Sequence, residues 1–229
     1  MNEDKLALNR IEKKFQLFGM DKNTICRVLH TNCRRIIHED RVNIVQSLYF
    51  DDDELSSYYE NQDGIARRSK ARIRWYNSDD IKNVYFEFKN RQGEQTSKDR
   101  MKLNFEKPLS KMTFREIKKE LIRQLSNEAG ERFLVRLNPV LINRYKREYF
   151  HDPHYNIRAT LDYNIKCYDQ IGQLKPNFRF ARQLDDIVIL ECKMATDLIH
   201  SMREILDPLK LRVSRSSKYV QCLEVLNQN

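Results

Sequence analysis

Glycine is scarce. The 229-residue chain has five, Gly19, Gly64, Gly93, Gly130 and Gly172, each isolated. Loops that cradle phosphates with backbone N–H groups need clustered glycines, and neither GxxxxGK[ST] nor GxGxxG can be written here. Any phosphate bound must therefore be held by side-chain cations. Cysteine is scarce too. Cys26, Cys33, Cys167, Cys192 and Cys222 are odd in number and form no CxxC pair. They read as buried thiols in a reducing compartment rather than as a disulfide framework or a zinc site. No apolar run reaches the length of a membrane span, and Met1-Asn2-Glu3-Asp4-Lys5 opens no apolar signal segment. These absences predict a soluble, cytoplasmic protein. The five histidines stand near no serine or cysteine motif, and His151-Asp152-Pro153-His154 reads as a turn, so no nucleophile triad is expected.

What is abundant is charge. Charged residues make up 33% of the chain, Lys and Arg (42) outnumber Asp and Glu (33), and the formal net charge is +9. Such a balance favours polyanionic partners. Hydrophobic residues, at 40%, still suffice for a core. No linker or repeat divides the chain, so residues 1–229 are read as a single domain.

The charges are ordered. Arg72-Ile73-Arg74-Trp75 and Phe86-Glu87-Phe88-Lys89 alternate a full charge with a large apolar residue, and the rhythm returns at Arg10–Phe15, Arg158–Asp162 and Leu190–Met194. Successive side chains on a strand point to opposite faces. Each such strand has one apolar face and one face of Lys, Arg and Glu. Strands are predicted over residues 8–18, 42–50, 69–76, 82–90, 98–105, 140–150, 156–165 and 187–194. Helices are predicted over 21–36, from Asp51 through Tyr59, and over 110–126, 196–205 and 214–226, with a loop at 169–185. The fold class is α+β with about eight antiparallel strands.

A charged strand face ordinarily meets solvent. Here it recurs on several strands, and Trp75, Phe86, Phe88, Ile189 and Leu190 suit packing beneath helices. With helices outside, the charged faces turn inward. Arg72 and Arg74 would stand about 6–7 Å apart. They would repel by about 0.6 kcal/mol in water, and by about 2.5 at an effective dielectric of about 20. A basic interior therefore calls for anions, and arginine matches phosphate oxygens in pairs. The glutamates among the cations, Glu12, Glu87 and Glu191, fit if Mn2+ or Mg2+ joins the phosphates, because these ions share one or two carboxylates with substrate oxygens. Each also fits a salt bridge to a neighbouring Lys or Arg.

Val45-Gln46-Ser47-Leu48-Tyr49-Phe50-Asp51, then Ala71-Arg72-Ile73-Arg74-Trp75-Tyr76, then Phe86-Glu87-Phe88-Lys89 resemble, in content and order, the VTC domain. This is the polyphosphate polymerase domain of the vacuolar transporter chaperone proteins and their bacterial relatives, within the triphosphate tunnel metalloenzymes. The likeness runs from about Arg10 to about Leu223 and is of the bacterial, stand-alone type. It implies a closed antiparallel β-barrel tunnel of eight strands with helices packed outside. It also implies transfer of the ATP γ-phosphate to a growing inorganic polyphosphate chain, with Mn2+ or Mg2+ as cofactor. Carried over by position, Arg72, Arg74, Lys89, Arg147, Arg158 and Lys218 are the catalytic cations. Arg10, Lys14, Lys70, Lys98, Arg100, Lys193 and Ser217 hold phosphates. Glu191, Glu87 and Glu12 are the metal candidates.

The regulatory domain and membrane segment of eukaryotic members have no counterpart in these residues, so a separate membrane protein partner is an expectation only. Two alternatives stand beside the polymerase: a triphosphate or polyphosphate hydrolase of the same fold, and a non-enzymatic binder of polyphosphate or RNA. Specific nucleic-acid recognition is not expected. The aromatics alternate with the cations and so fall on the opposite face.

Overall fold

Period-2 alternation becomes sheet wherever the apolar face finds a helix to cover it. The computed structural model describes residues 10–77, 83–93, 95–125 and 134–228. Among them are strands β1 (Arg10–Phe18), β2 (Arg34–Ile36), β3 (Asn43–Asp51), β4 (Arg67–Tyr76), β5 (Val84–Gln92), β6 (Gln95–Leu103), β7 (Asn138–Asp152), β8 (Ile157–Asp169), β9 (Ala181–Gln183) and β10 (Ile187–Ala195). The helices are α1 (Lys22–Asn32), α2 (Ser56–Gln62), α3 (Phe114–Leu125), α4 (Ile199–Leu206) and α5 (Lys218–Asn227). Contacts gather into two compact units: Met1–Asn43, Tyr145–Ile165 and Asp185–Ser217 form the first, and Ile44–Arg144, Lys166–Leu184 and Lys218–Asn229 the second.

In the first unit β1 pairs with β10 and β10 with β8, all antiparallel. Phe15, Leu17, Leu161, Leu190 and Met194 form their apolar face, which meets Ile25 and Leu29 of α1 and Met202 and Ile205 of α4. Asp21 starts α1 by accepting the Thr24 N–H at 3.1 Å, the N-cap geometry its sequence position implies. The predicted helix through residue 36 stops early. The Cys33 N–H closes on the Leu29 carbonyl at 2.7 Å and Cys33 is extended. Arg34–Ile36 then pair with Tyr149–His151. The pull comes from Glu148, a fully buried carboxylate held by Lys22 at 3.0 Å, Arg35 at 2.9 Å and the Tyr163 hydroxyl at 2.9 Å. A buried charge left unpaired would cost several kcal/mol, roughly 3–5, more than a short helical extension returns.

In the second unit β3, β4, β5 and β6 are successive antiparallel neighbours. Leu48, Phe50, Ile73, Trp75 and Phe86 pack against Phe114, Ile117 and Leu121 of α3. That helix begins at residue 114 rather than 110, because Thr113 and Glu116 form a reciprocal cap. The Thr113 N–H reaches Glu116 Oε2 at 2.7 Å, and the Glu116 N–H reaches Thr113 Oγ1 at 3.2 Å. Residues 169–185, predicted as loop, include β9, which pairs with β8. Cysteine departs from expectation in part. Cys26, Cys33 and Cys192 are buried thiols, but Cys167 of β8 and Cys222 of α5 form a disulfide. Their separation of 55 residues hides the pairing from the sequence.

The eight principal strands follow the order β1-β10-β8-β7-β3-β4-β5-β6, an open path with β1 and β6 as its ends rather than the closed barrel expected. Both ends have a reason to stay open. Residues 214–217, predicted as helix, run along the outer edge of β1. The Ser214 N–H donates to the Lys14 carbonyl at 2.8 Å, and Gln16 Nε2 donates to the Arg215 carbonyl at 2.8 Å. The β6 edge carries exposed Lys98, Asp99, Arg100 and Lys102, charges that oppose further strand pairing. Of the turn expected at Asn77–Asp80, residues 78–80 lie outside the described residues, as do the expected strand starts at 8–9 and 82. No helix among the described residues is long and apolar enough to cross a membrane.

Candidate functional site

The register of β3 to β6 turns the alternating charges of the second unit into rows. Ser47, Arg74, Tyr85 and Lys102 make one cross-strand row, and Tyr49, Arg72, Glu87 and Arg100 the next. Lys70, Lys89 and Lys98 make a third. Rows are two residues apart, about 6.7 Å along the strands. All these side chains lie on the face opposite α3, because their strand neighbours Ile73, Trp75 and Phe86 form the core.

Glu87 organises this face. Its side chain is 2% exposed, and Arg72 Nη2 and Lys98 Nζ each approach it to 2.6 Å. Arg74 Nη1 at 3.7 Å and Arg100 Nε at 3.6 Å complete the ring. Burial alone would raise the Glu87 carboxyl, but the charges of Arg72 and Arg74 and the Lys98 hydrogen bond hold it well below the usual carboxylate range. Glu87, anticipated as a metal ligand, thus has cations at both oxygens. Seven cations on β4, β5 and β6 share the face with this carboxylate, so the face keeps a large positive excess.

Tyrosine joins the cations here. Arg72 Nη1 donates to the Tyr49 hydroxyl at 2.9 Å. Tyr49 stacks on Tyr219 of α5, ring centroids 5.1 Å apart, and Lys70 lies over the Tyr219 ring at 5.5 Å. The Tyr219 hydroxyl donates to Asp51, whose carboxylate also accepts the Ser57 and Tyr58 N–H groups at the start of α2. Burial would raise the Tyr49 phenol. Arg72, Arg74 and Lys218 outweigh it and bring the phenol down to about 8. Lys218, the first residue of α5, is thereby placed electrostatically beside this cluster.

The first unit carries a different arrangement. Glu12 stands opposite Lys193, and Lys14 opposite Glu191. Lys14 Nζ is 3.0 Å from Glu12 and 3.8 Å from Glu191, and Lys193 Nζ is 3.0 Å from Glu191 and 3.5 Å from Glu12. Two carboxylates and two ammonium groups alternate around a ring. Burial lowers the Lys193 ammonium, but Glu191 and Glu12 raise it above its ordinary range. Arg147 forks onto buried Asp162 with bonds of 2.6 and 2.7 Å. Arg158 is opposite Lys193, and Lys14 Nζ also reaches the Ser216 carbonyl at 3.4 Å, beside Ser217. The side chain of Arg10 lies outside the described residues.

Among the described residues no three His, Cys, Asp or Glu side chains gather as a metal cluster. Glu12 and Glu191 are a pair of carboxylates bridged by the same two lysines. Such a donor set suits a hard divalent ion that takes its remaining oxygens from phosphates and water. The His151–His154 segment is the turn expected, with the His154 N–H on Asp152 at 2.8 Å.

Two readings of side-chain direction are corrected. Ile189 is buried on the charged face, opposite Asp162, while its neighbour Leu190 lies in the core. Several tyrosines are not set apart from the cations. Phe50, Phe86 and Trp75 pack in the core of the second unit, while Tyr49, Tyr85, Tyr145 and Tyr149 lie beside arginines. The signal was present as Tyr145-x-Arg147-x-Tyr149 and Tyr85-x-Glu87-x-Lys89, which put the tyrosines in phase with the charges.

No curated protein matches the chain in sequence. Its fold is similar to that of a candidate adenylate cyclase from Bacillus halodurans, with a TM-score of 0.54 and 14% identity over 93% of this chain and 97% of that one. A candidate adenylate cyclase from Vibrio parahaemolyticus is similar as well, with a TM-score of 0.50 and 12% identity over 93% of this chain and 97% of that one. At these identities the likeness concerns fold. The family model of the VTC domain matches residues 5–227, nearly the whole length, and the chain therefore belongs to the VTC domain family.

Proposed function

We propose that this chain is a metal-dependent polyphosphate polymerase that moves the γ-phosphate of ATP onto a growing inorganic polyphosphate chain. The observation that carries the reading is the charge excess on the β4–β6 face, where Glu87 is ringed by Arg72, Arg74, Lys98 and Arg100. Such a face is self-repelling until anions neutralise it, and a line of phosphates spaces its charges along the strands. Arg72, Arg74, Lys70, Lys89 and Lys98 would bind non-bridging oxygens, with Lys218 beside them. In the reaction a terminal oxygen of the acceptor chain forms a bond to the γ-phosphorus, the bond from that phosphorus to the β,γ-bridging oxygen breaks, and ADP leaves. Fixed cations stabilise the charge that develops on the transferred group.

In the first unit, Glu12 and Glu191 would hold Mn2+ or Mg2+, which supplies neutralisation of phosphate oxygens when bound. Lys14, Lys193, Arg147 and Arg158 would orient phosphates there, with Ser217 offering a hydroxyl. Incubation with ATP and Mn2+, resolved by chain length on a gel, tests the proposal. Chains that lengthen with time support it. Free phosphate without acid-stable chains would assign the same residues to a hydrolase, and binding without turnover would leave a polyphosphate binder.

A further inference from the structure

One end of the β4–β6 face is built for more than phosphate. Tyr85 stands between Arg74 on β4 and Lys102 on β6. The Arg100 guanidinium lies over its ring, with the central carbon 3.7 Å from the centroid. Tyr76 meets the same ring edge-on, with centroids 6.5 Å apart and planes at 74°. Arg100 is also tied sideways by its Nε, 3.6 Å from Glu87 Oε1, yet 43% of its side chain is exposed. Pairing with Glu87 alone needs no ring beneath the guanidinium. A ring below and a carboxylate beside it fix the plane of the group, and its exposed surface among the described residues can receive a flat π-system. Aromatic and guanidinium planes among cations are the means by which proteins stack nucleobases without reading their edges.

The spacing agrees. From the Tyr85 row to the Lys70–Lys89–Lys98 row is four residues along a strand, about 13 Å. A nucleoside triphosphate laid along β5 spans a comparable distance from base to terminal phosphate. We propose that Tyr85 and Arg100 form a stacking platform for the base of a nucleoside triphosphate, with its phosphates directed toward Arg72 and Lys98. This inference rests on the reading of the face as a phosphate site. Arg100 is the stacking group and Tyr85 its positioning residue. A platform that stacks without edge contacts favours purines over pyrimidines by area and separates ATP poorly from GTP.

The test is calorimetric binding of ATP and of inorganic tripolyphosphate to the full chain. The readout is the ratio of the two affinities, in wild type and in Tyr85→Leu, Tyr85→Phe and Arg100→Lys. Loss of one stacking layer should lower the ATP-to-tripolyphosphate ratio about tenfold in Tyr85→Leu and Arg100→Lys. Tyr85→Phe keeps a ring and should keep the ratio. Binding of tripolyphosphate with a ratio that does not move in any variant would overturn the base platform and leave the phosphate site standing. Failure of wild type to bind either compound would overturn both.

Discussion

The two charged faces use the same residue types in different proportions. In the second unit the buried carboxylate of Glu87 is outnumbered by the cations around it. In the first unit Glu12 and Glu191 alternate with Lys14 and Lys193, and Arg147 is already matched by Asp162. The first arrangement asks for an anion. The second is near neutral, and in the function proposed above its two carboxylates would hold the divalent ion. A Glu-x-Lys pattern is common to both: Glu87-Phe88-Lys89, Glu12-Lys13-Lys14 and Glu191-Cys192-Lys193. The strands on either side therefore decide how many cations each glutamate meets.

The sharpest way to break this comparison is to neutralise one glutamate in each unit. Glu191→Gln is expected to lower polyphosphate formation by on the order of 100-fold at saturating ATP and Mn2+, because a charged oxygen ligand is lost. Thermal stability should change little by comparison. Glu12 is more exposed than Glu191, so Glu12→Gln should cost less, about tenfold. Equal turnover in Glu191→Gln and wild type, measured over a range of Mn2+ concentrations, would remove the metal role from this unit.

Glu87→Gln should behave in the opposite way. The cations Arg72, Arg74 and Lys98 lose their buried counter-charge, at a cost of about 3 kcal/mol. Chemical denaturation reads this directly. Tripolyphosphate should then stabilise the variant more than wild type, since the ligand replaces the missing charge. Glu87 also predicts a pH window. Its folded carboxyl lies well below the usual range, so its contribution is fully present above the unfolded value, about 4.3, and is lost as pH falls below that toward the folded one. The acid limb of the stability profile should flatten in Glu87→Gln.

A smaller effect sharpens the contrast through salt. Tripolyphosphate at about 100 times its dissociation constant stabilises by about 2.7 kcal/mol, or roughly 5–10 °C for a chain of this size. Raising ionic strength should shrink that shift steeply, because exposed Lys89 and Arg100 contribute to it. A shift that does not respond to salt would mean that the ligand is held by something other than this cation excess.

How much of this was legible in the sequence depends on the kind of information each feature needs. Alternation in Arg72–Trp75 and Phe86–Lys89 fixes which side chains share a face, and the rows of the second unit follow it residue by residue. Alternation says nothing about neighbours. That Glu87 has Arg72 on one side and Arg100 on the other is a matter of register, set by strand pairing. Ile189 is in phase with Glu191 and Lys193, so alternation places it among the charges although its apolar type suggests the core. β2 depends on a distant carboxylate, Glu148, and the edge of β1 on backbone bonds from Ser214. Neither leaves a periodic trace. Closure of the sheet is likewise a property of edge hydrogen bonds, which side-chain patterns do not report.

Tyr49 offers the finest test, because it senses the charge excess without being one of the cations. Its phenol, brought down to about 8 by Arg72, Arg74 and Lys218 against the effect of burial, should appear as an early tyrosinate step in a spectroscopic titration. Between this value and the ordinary one near 10, the unfolded chain keeps a proton that the folded one has released. Stability from this group therefore rises with pH across that window and is lost as pH falls through about 8. Phosphates bound along the face would neutralise the arginines that favour the phenolate. Saturating tripolyphosphate should then move the early midpoint back toward the ordinary value, and Tyr49→Phe should abolish the early step altogether. An early midpoint that stays in place with tripolyphosphate bound would show that the phosphates do not reach the Arg72 row, and would relocate the anion site away from Glu87.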